Sequence, residues 1–290
     1  MSSTDESFVV GLIGSGVTPT LSAPLHEREA DHQGLRYIYR PVDLDMIDRP
    51  AGDVGVLLQQ ARDLGFNAFN ITHPCKQLVI DHLDEISDDA RQLGAVNTVL
   101  FREGRMIGHN TDFSGFGTGL AAGLPGAELG TVVQLGAGGA GSAVAYALLQ
   151  RGVGTLRLTD VDPDRARLRV AALRALFPDR RIDAITVGDL PTALADADGL
   201  VNATPIGMHQ HPGLPLDAAL LHARLWVADV VYRPMETELI VAARAAGCRV
   251  LDGGHMAVGQ AVDAFALITG IAPDAARMRA HFLDMVAAGR

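Results

Sequence analysis

The sequence predicts an α/β protein made of two domains. At 290 residues the chain is longer than most single domains, and its 48% of hydrophobic residues can furnish two cores. Short apolar runs alternate with helical segments, an order that indicates parallel strands with helices on both faces of the sheet. A glycine-rich turn near the middle of the chain joins one apolar run to an Ala-rich helical segment. We therefore expect an N-terminal α/β domain followed by a doubly wound α/β domain.

The first half of the chain predicts strands and helices in alternation. Aromatic and β-branched residues favour strands, and proline suits the first turn of a helix. The predicted strands are 8–13, 35–39, 68–72, 93–100 and, after a turn at 103–104, a return strand that ends at 108–112. The predicted helices start near Pro24, at Val54 and at Pro74, the last of them running through Ile86, and a further helix covers 113–124.

Residues 131–160 follow the pattern of a βαβ unit that binds a dinucleotide. An apolar strand at 132–135 leads into Gly136, Gly138 and Gly141 in G-x-G-x-x-G spacing. The first glycine allows a tight turn, the second lets the backbone approach a pyrophosphate, and the third lets helix and strand pack closely. The N–H groups at the start of the following helix would hold the phosphates. A second strand ends at Asp160, where a carboxylate can accept hydrogen bonds from ribose hydroxyls.

Two other interpretations compete with this one. Residues 131–150 carry no charge, so a hydropathy window would predict a membrane helix. Gln134, the glycine cluster and the charged flanks favour a strand, turn and helix instead. The other alternative is a glycine-rich turn that binds no nucleotide. The preceding strand, the following helix and the spacing to Asp160 favour the nucleotide site.

The rest of the second domain repeats the alternation of strands and helices. The predicted strands are 182–187, 199–203, 226–232 and 249–251, and the predicted helices are 165–177 and 236–246. Gly253 and Gly254 would form a hinge at which the chain returns to the first domain.

Composition excludes several classes of protein. The net charge of −10 disfavours a nucleic-acid surface. Cys75 and Cys248 have no metal-ligand spacing, which fits a reducing compartment without disulfides. His209 and His211 lie in a Gly/Pro-bounded loop, and we interpret them as surface histidines rather than metal ligands. The polar N-terminus MSSTDESF lacks a signal-peptide pattern, so we expect a cytoplasmic protein with no membrane partner.

Several polar residues lie where predicted strands end, which is where α/β folds build ligand sites. Lys76 falls in the first turn of a predicted helix, where its positive charge opposes the helix dipole and is locally unfavourable. The ordinary alternative to a functional role is a solvated lysine on a helix face. Asn97, Asn110, Thr111 and Asp112 lie in or at the ends of apolar strands. Asn110 or Asp112 could equally cap the helix that begins at residue 113.

Seven motifs, in order along the chain, resemble the shikimate dehydrogenase family. They are NITHPxK at 70–76, GAVNT at 94–98, GxNTD at 108–112, GAGGAG at 136–141, NATPxGM at 202–208, DxxYxPxxT at 229–237 and GQA at 259–261. The resemblance implies a substrate domain of 1–112 plus 254–290, a Rossmann NAD(P)-binding domain of 113–253, and an active site in the cleft between them.

The resemblance also implies which residues bind and react. The family's catalytic pair falls on Lys76 and Asp112. Its two hydroxylated substrate-binding residues, usually Ser-x-Ser, fall on Thr20 and Ser22, and Thr20 departs from that pattern. Further substrate contacts match Thr72, Asn97, Tyr232 and Gln260. The implied cofactor-binding residues are Gly136, Ala137, Gly138, Gly139, Ala140, Asp160, Arg165, Thr204, Gly253 and Met256, of which Met256 could instead serve ordinary helix packing.

The chemistry of these residues suits the oxidation of a secondary alcohol. Lys76 and Asp112 converging on a hydroxyl can relay its proton while hydride passes to a nicotinamide. The sequence leaves open whether Lys76 is a general base or a polarising donor. No metal-ligand set is visible. The resemblance further implies a small cyclitol acid as the substrate, and the sequence leaves open whether the protein is a monomer or a homodimer.

The expected activity is the NAD-dependent interconversion of shikimate and 3-dehydroshikimate, and of quinate and 3-dehydroquinate. We expect NAD rather than NADP because Asp160 and the nearby Asp162 would repel a 2′-phosphate, although Arg165 tempers this argument. The alternatives are a strict shikimate dehydrogenase that uses NADP, a two-domain dehydrogenase of the methylenetetrahydrofolate type, and a non-catalytic dinucleotide sensor. The presence of both Lys76 and Asp112 argues against the sensor.

Overall fold

The computed structural model describes residues 7–289, and the segment 1–6, on which part of the signal-peptide argument rests, lies outside them. The strands are β1 Ser7–Gly14, β2 Arg36–Asp43, β3 Ala68–Ile71, β4 Glu85–Ile86, β5 Thr98–Arg102, β6 Arg105–His109, β7 Thr131–Leu135, β8 Thr155–Thr159, β9 Arg181–Ala184, β10 Gly199–Asn202, β11 Trp226–Asp229 and β12 Arg249–Leu251. The helices are α1 Ser22–His32, α2 Val54–Asp63, α3 Cys75–Leu78, α4 Asp88–Leu93, α5 Asp112–Gly123, α6 Gly139–Gln150, α7 Pro163–Leu176, α8 Leu190–Ala195, α9 Glu238–Ala245, α10 Gly254–Thr269 and α11 Ala275–Ala287. None of these described helices has both the length and the apolar character needed to span a membrane.

The chain divides into two compact units. Unit 1 holds the described residues up to Thr111 and those from Gln260 onward, and unit 2 is Asp112–Gly259. The expected return of the chain at residue 254 therefore differs from the observed return at residue 260. The first turns of α10 pack within unit 2, since a Cβ on Gly259 would lie 2.5 Å from the Gly115 carbonyl oxygen.

Unit 1 is built on a mixed six-stranded sheet in the order β2-β1-β3-β5-β6-β4. β1 pairs in parallel with β2 and β3, whereas β5 pairs antiparallel with β3 and β6. The register places Asn70 of β3 opposite Thr98 of β5, and Thr98 opposite His109 of β6. Polar residues from three strands therefore meet at one end of this sheet.

Unit 2 is built on a fully parallel sheet in the order β12-β11-β10-β7-β8-β9. Numbered from β7, this order is 3-2-1-4-5-6 read from the β9 edge, which is the doubly wound order of dinucleotide-binding domains. After β9 the chain crosses to β10 on the other side of β7, so the strand order reverses between the neighbouring strands β7 and β10. A Cβ on Gly136, which follows β7, would lie only 2.6 Å from the carbonyl oxygen of Ala203, which follows β10. The predicted doubly wound fold is confirmed.

The stretch 74–100 folds differently from the prediction of one helix and one strand. α3 is short, a 3-10 turn covers Val79–His82, and β4 pairs with β6. The backbone N–H groups of Asp84 and Ser87 donate to the carbonyl oxygens of Met106 and Gly108 rather than within a helix. α4, which was not predicted, follows, and Gly94, the residue after its last turn, has a φ of +64°. The strand therefore begins only at Thr98.

The stretch 182–195 also departs from its prediction. β9 ends at Ala184 because Thr186 and Asp189 form reciprocal capping hydrogen bonds at the start of a 3-10 turn. That turn leads directly into α8, a helix that was not predicted. The proline of α8 lies in its first turn, where it costs no hydrogen bond.

An ion pair between a buried carboxylate and a partly exposed arginine joins the C-terminal helix of unit 1 to its first helix. Glu29 of α1 has a side chain only 1% exposed, and it accepts hydrogen bonds from the Arg277 guanidinium at 2.6 and 2.8 Å. The Asp274 N–H and the Gln33 side chain donate to the same carboxylate. Burial alone would raise the pKa of Glu29, but these hydrogen bonds and the Arg277 charge lower it below its usual value.

We expect Arg277→Ala to lower the free energy of unfolding clearly more than a surface ion-pair substitution does, because it leaves the Glu29 carboxylate buried without its cation. Arg244→Ala is the matched control, since Arg244 pairs with Glu236 at the surface and its loss should cost less than about 1 kcal/mol. Urea unfolding followed by circular dichroism measures both. Equal effects of the two substitutions would contradict the role given to the Glu29–Arg277 pair.

The same pair predicts an acid sensitivity. A carboxyl group with a lowered pKa in the folded state stabilises the fold above the pKa of an exposed glutamate, and that contribution is lost as the pH falls through the lowered value. We therefore expect the stability difference between wild type and Glu29→Gln to be largest near neutral pH and to shrink below about pH 4. A difference that stays constant from pH 7 to pH 3 would contradict this assignment.

Candidate active site

Asn97 is the centre of a polar cluster in unit 1. It lies just before β5 and is 3% exposed. Its side-chain oxygen accepts a hydrogen bond from the Thr111 N–H at 2.7 Å, and its side-chain nitrogen donates to the Thr111 hydroxyl at 2.9 Å. The Thr111 hydroxyl in turn donates to the backbone carbonyl of Gln260 at 3.0 Å. Polar contacts thus join the start of β5, the segment after β6 and helix α10.

The cluster continues through the interior of unit 1 to the start of α1. The Thr98 hydroxyl donates to Asn97 and accepts from the Asn70 side-chain nitrogen at 3.0 Å. The Tyr39 hydroxyl donates to the Asn70 side-chain oxygen at 2.8 Å and is also hydrogen-bonded to Ser22. Burial raises the pKa of Tyr39, so its hydroxyl stays protonated and can donate. One chain of hydrogen bonds therefore connects Ser22 with Asn97.

Lys76 lies beside this cluster, in the short helix α3. Its side chain is partly buried, and its backbone carbonyl accepts a hydrogen bond from the Val96 N–H at 2.9 Å, next to Asn97. It is the only lysine in the sequence: the chain has 24 lysine and arginine residues in total, and all the others are arginines. That count is a signal the motif-based interpretation did not use. Thr72, also partly buried, precedes α3, and Asp112 is a buried residue in the first turn of α5.

The loop with Thr20 and Ser22 is held by Asp43 at the end of β2. The Asp43 carboxylate accepts hydrogen bonds from the backbone N–H groups of Gly16 at 3.0 Å and Thr18 at 2.9 Å. The Thr20 hydroxyl accepts from the Ser22 N–H at 3.1 Å. Sequence reasoning missed Asp43, Tyr39 and Asn70 because their partners lie far away in the chain.

The glycine-rich turn of unit 2 has the features expected of a phosphate-binding loop. Gly136 has a φ of +96°, and a Cβ on Gly141 would lie 2.2 Å from the Gly136 carbonyl oxygen. Side chains are therefore excluded at both positions. By contrast, a Cβ on Gly138 or Gly139 would meet nothing within 4 Å, so the surface before α6 is open. Ala137 is buried, whereas Ala140 is exposed at the start of α6.

Asp160 follows β8 and fixes the adjoining side of this turn. Its side chain is 4% exposed, and its carboxylate accepts hydrogen bonds from the Ala137 N–H at 2.8 Å and the Asp162 N–H at 2.9 Å. Arg165, 48% exposed, binds the same carboxylate with two guanidinium nitrogens. Burial would raise the pKa of Asp160, but the hydrogen bonds from Arg165, Asp162 and Ala137 lower it below its usual value. Asp160 is therefore an anion at neutral pH.

A second buried polar cluster lies at the ends of β10 and β11. The Asn202 side chain donates to the Asp229 carboxylate at 3.0 Å, and the Thr237 hydroxyl donates to it at 2.7 Å. The Thr204 hydroxyl donates to the Asn202 side-chain oxygen at 2.6 Å. Burial raises the pKa of Asp229 to about 6, although three hydrogen bonds oppose this. These contacts hold the loop that contains Thr204.

The remaining expected binding residues of unit 2 lie outside this cluster. Tyr232 is 39% exposed in the loop after β11. Met256 is partly buried against the apolar core, a contact that agrees with ordinary helix packing. A Cβ on Gly253 would lie 2.4 Å from the Val231 carbonyl oxygen, so this glycine is required by the close approach of two backbone segments. Among the residues 7–289, no group of His, Cys, Asp and Glu side chains could hold a metal ion.

The turn at 136–141 therefore fits a dinucleotide. An open glycine surface at a helix N-terminus suits a diphosphate, and the fixed anion at the end of the second strand suits ribose hydroxyls. Gly136–Ala140 and Asp160 are the residues that would hold such a cofactor.

Known proteins resemble the chain over nearly its whole length. Residues 12–99 match the family described as shikimate dehydrogenase substrate binding domain. A protein of Pseudarthrobacter chlorophenolicus named shikimate dehydrogenase (NADP(+)) is 62% identical over 288 residues, which are 99% of this chain and 98% of that protein. A protein of Corynebacterium efficiens named quinate/shikimate dehydrogenase (NAD(+)) is 49% identical over 282 residues, covering 97% of this chain and 99% of that protein.

A solved structure gives the same result in three dimensions. Quinate dehydrogenase from Corynebacterium glutamicum, in complex with NAD, superimposes with a TM-score of 0.91 at 47% identity, covering 96% of this chain and 99% of that one. Together with the sequence relatives, this match shows that the chain belongs to the shikimate dehydrogenase family.

Proposed function

We propose that the protein is an NAD-dependent dehydrogenase that interconverts shikimate with 3-dehydroshikimate and quinate with 3-dehydroquinate. The observation that carries the proposal is the lysine at position 76, beside a buried cluster of neutral hydrogen-bonding side chains. Both the NAD(+)- and the NADP(+)-named relatives share the family to which the chain belongs.

The polar cluster of unit 1 suits a polyhydroxylated substrate. Ser22, Thr72 and Asn97 offer neutral donors and acceptors, which a ring with several hydroxyl groups requires. Because the hydrogen bonds through Tyr39 and Asn70 hold Ser22 and Asn97 in place, little order has to be gained on binding. Tyr232 and Gln260 are the further residues we assign to the substrate.

The lysine suits proton transfer. Arginine remains charged at all physiological pH values, whereas the amine of lysine can give up and regain a proton. The chain has arginine at all its remaining lysine or arginine positions but lysine at position 76. This choice supports a role in proton transfer at that position. We assign Lys76 and Asp112 jointly to the substrate hydroxyl: they take its proton during oxidation and return it during reduction. A bound nicotinamide dinucleotide supplies the hydride acceptor.

The choice between NAD and NADP rests on Asp160 and Arg165. An ionised, buried carboxylate at the ribose position binds a 2′-hydroxyl but repels a 2′-phosphate, which favours NAD. The half-exposed guanidinium of Arg165 is the observation that favours NADP, as do the NADP(+)-named relatives. We propose NAD because Arg165 is already engaged by both oxygens of Asp160.

We expect kcat/KM to be at least roughly tenfold higher with NAD than with NADP. Asp160→Asn should lower the ratio of kcat/KM with NAD to kcat/KM with NADP, because it weakens the binding of NAD and removes the repulsion of the 2′-phosphate. Asp164→Asn is the matched control, because Asp164 is exposed in the first turn of the nearby helix α7 and pairs with Arg167. Steady-state formation of reduced cofactor measures all three proteins. Comparable kcat/KM values for the two cofactors in the wild type would rule out the NAD assignment.

We expect Lys76→Ala to lower kcat by about 10²-fold or more, the range for loss of a proton-transfer group. Lys76→Arg should be nearly as slow although it keeps the charge. Asp112→Asn should be similarly slow, and the double variant little worse than either single one. Gln77→Ala, at the exposed neighbouring position, is the control. Near-normal kcat in Lys76→Arg would show that only the charge matters.

The substrate range is tested with shikimate and quinate as alternative substrates. Quinate carries an extra tertiary hydroxyl at C1. A site that leaves no buried polar group unpaired discriminates against such a difference by only about 1–3 kcal/mol in transition-state free energy. We therefore expect both acids to be oxidised, and Thr20→Ser to shift the ratio of their kcat/KM values without abolishing either activity. Turnover of shikimate with no detectable turnover of quinate would leave a strict shikimate dehydrogenase. Turnover of neither acid would overturn the proposed function.

A further inference from the structure

Gln134 is a polar side chain in a strand where an apolar one is expected. β7 is flanked by β8 and β10, and its other residues from Val132 to Leu135 are apolar. Strands buried on both faces of a parallel sheet are usually continuous apolar runs. Gln134 is 0% exposed, and its side-chain oxygen has no hydrogen-bond partner among the described residues. An unpaired buried oxygen is costly, so this side chain calls for an explanation.

The side-chain nitrogen of Gln134 holds the two ends of the glycine-rich turn together. It donates hydrogen bonds to the carbonyl oxygens of Gly136 at 2.8 Å and Gly141 at 2.7 Å. The reverse orientation of the amide would point an oxygen at two carbonyl oxygens, so these contacts fix which atom is the nitrogen. The turn is thus closed from inside by one side chain.

One of these hydrogen bonds also reaches Asp160 through a single peptide group. The C=O and N–H of a trans peptide point in opposite directions. In the peptide between Gly136 and Ala137, the C=O is held by Gln134 and the N–H is held by the Asp160 carboxylate at 2.8 Å. Gln134 and Asp160 therefore fix the plane of this peptide from its two sides.

We propose that Gln134 is a positioning residue for the dinucleotide: it sets the shape of the turn at 136–141 and, through the Gly136–Ala137 peptide, the place of the Asp160 carboxylate. This inference rests on the proposed use of a dinucleotide. The test is direct binding of NADH in the absence of substrate, measured by calorimetry or by the fluorescence of the cofactor. Gln134→Met keeps the length of the side chain but removes both donated hydrogen bonds.

We expect Gln134→Met to raise the Kd for NADH by about tenfold or more, and to raise the KM for the cofactor with little change in the KM for the acid substrate. Leu200→Ala is the control for a general loss of stability. Leu200 is 0% exposed in β10 and pairs with Val133, away from the turn, so its truncation leaves a cavity without removing a turn contact. We expect its Kd for NADH, measured well below its Tm, to match that of the wild type.

An unchanged Kd in Gln134→Met would overturn the inference, and so would equal weakening in Gln134→Met and Leu200→Ala, which would reduce Gln134 to a structural role. Failure of the wild type to bind either NADH or NADPH is a different outcome. It would overturn the proposed function itself, and the inference about Gln134 with it.

Discussion

The hydrogen bonds between Asn97 and Thr111 are the contacts on which the polar interior of unit 1 depends. They join the start of β5 to the segment that follows β6, and through Thr111 they reach the backbone of α10. A buried amide that lost these partners would cost more than an ordinary hydrogen bond contributes, so the arrangement is held as a whole. The same chain of contacts passes through Asn70 and Tyr39 to Ser22. Rigid polar groups therefore lie beside Lys76 before any substrate arrives.

Unit 2 uses the same device at the ends of its parallel strands. Gln134 closes the glycine-rich turn from within the sheet, Asp160 holds the Ala137 N–H, and Asn202 and Asp229 hold the loop with Thr204. Each of these side chains lies within a buried strand, ends one or directly follows one. In both units, the apolar strands supply the stability and a few buried polar residues shape the loops that follow them.

The sequence predicts the features that depend on neighbouring residues. The glycine-rich turn could be predicted because its spacing reflects steric limits such as the positive φ of Gly136. Asp43, Asn70 and Tyr39 could not, because each acts through partners more than 20 residues away. The prediction of a helix running through Ile86 was wrong for a similar reason. The conformation of that segment depends on the pairing of β4 with β6, and β6 begins only at Arg105. The roles of Lys76, Asp112 and the cofactor residues remain proposals that rest on chemistry and family membership.

The central claim is that the protein removes hydride from the carbon that bears the reacting hydroxyl. The most direct measurement is the fate of deuterium placed on C3 of shikimate, followed by mass spectrometry or NMR of the cofactor recovered after turnover with NAD. The account predicts one deuterium on C4 of the nicotinamide ring for each 3-dehydroshikimate formed. Reduced cofactor without deuterium, or 3-dehydroshikimate formed without reduction of the cofactor, would contradict it.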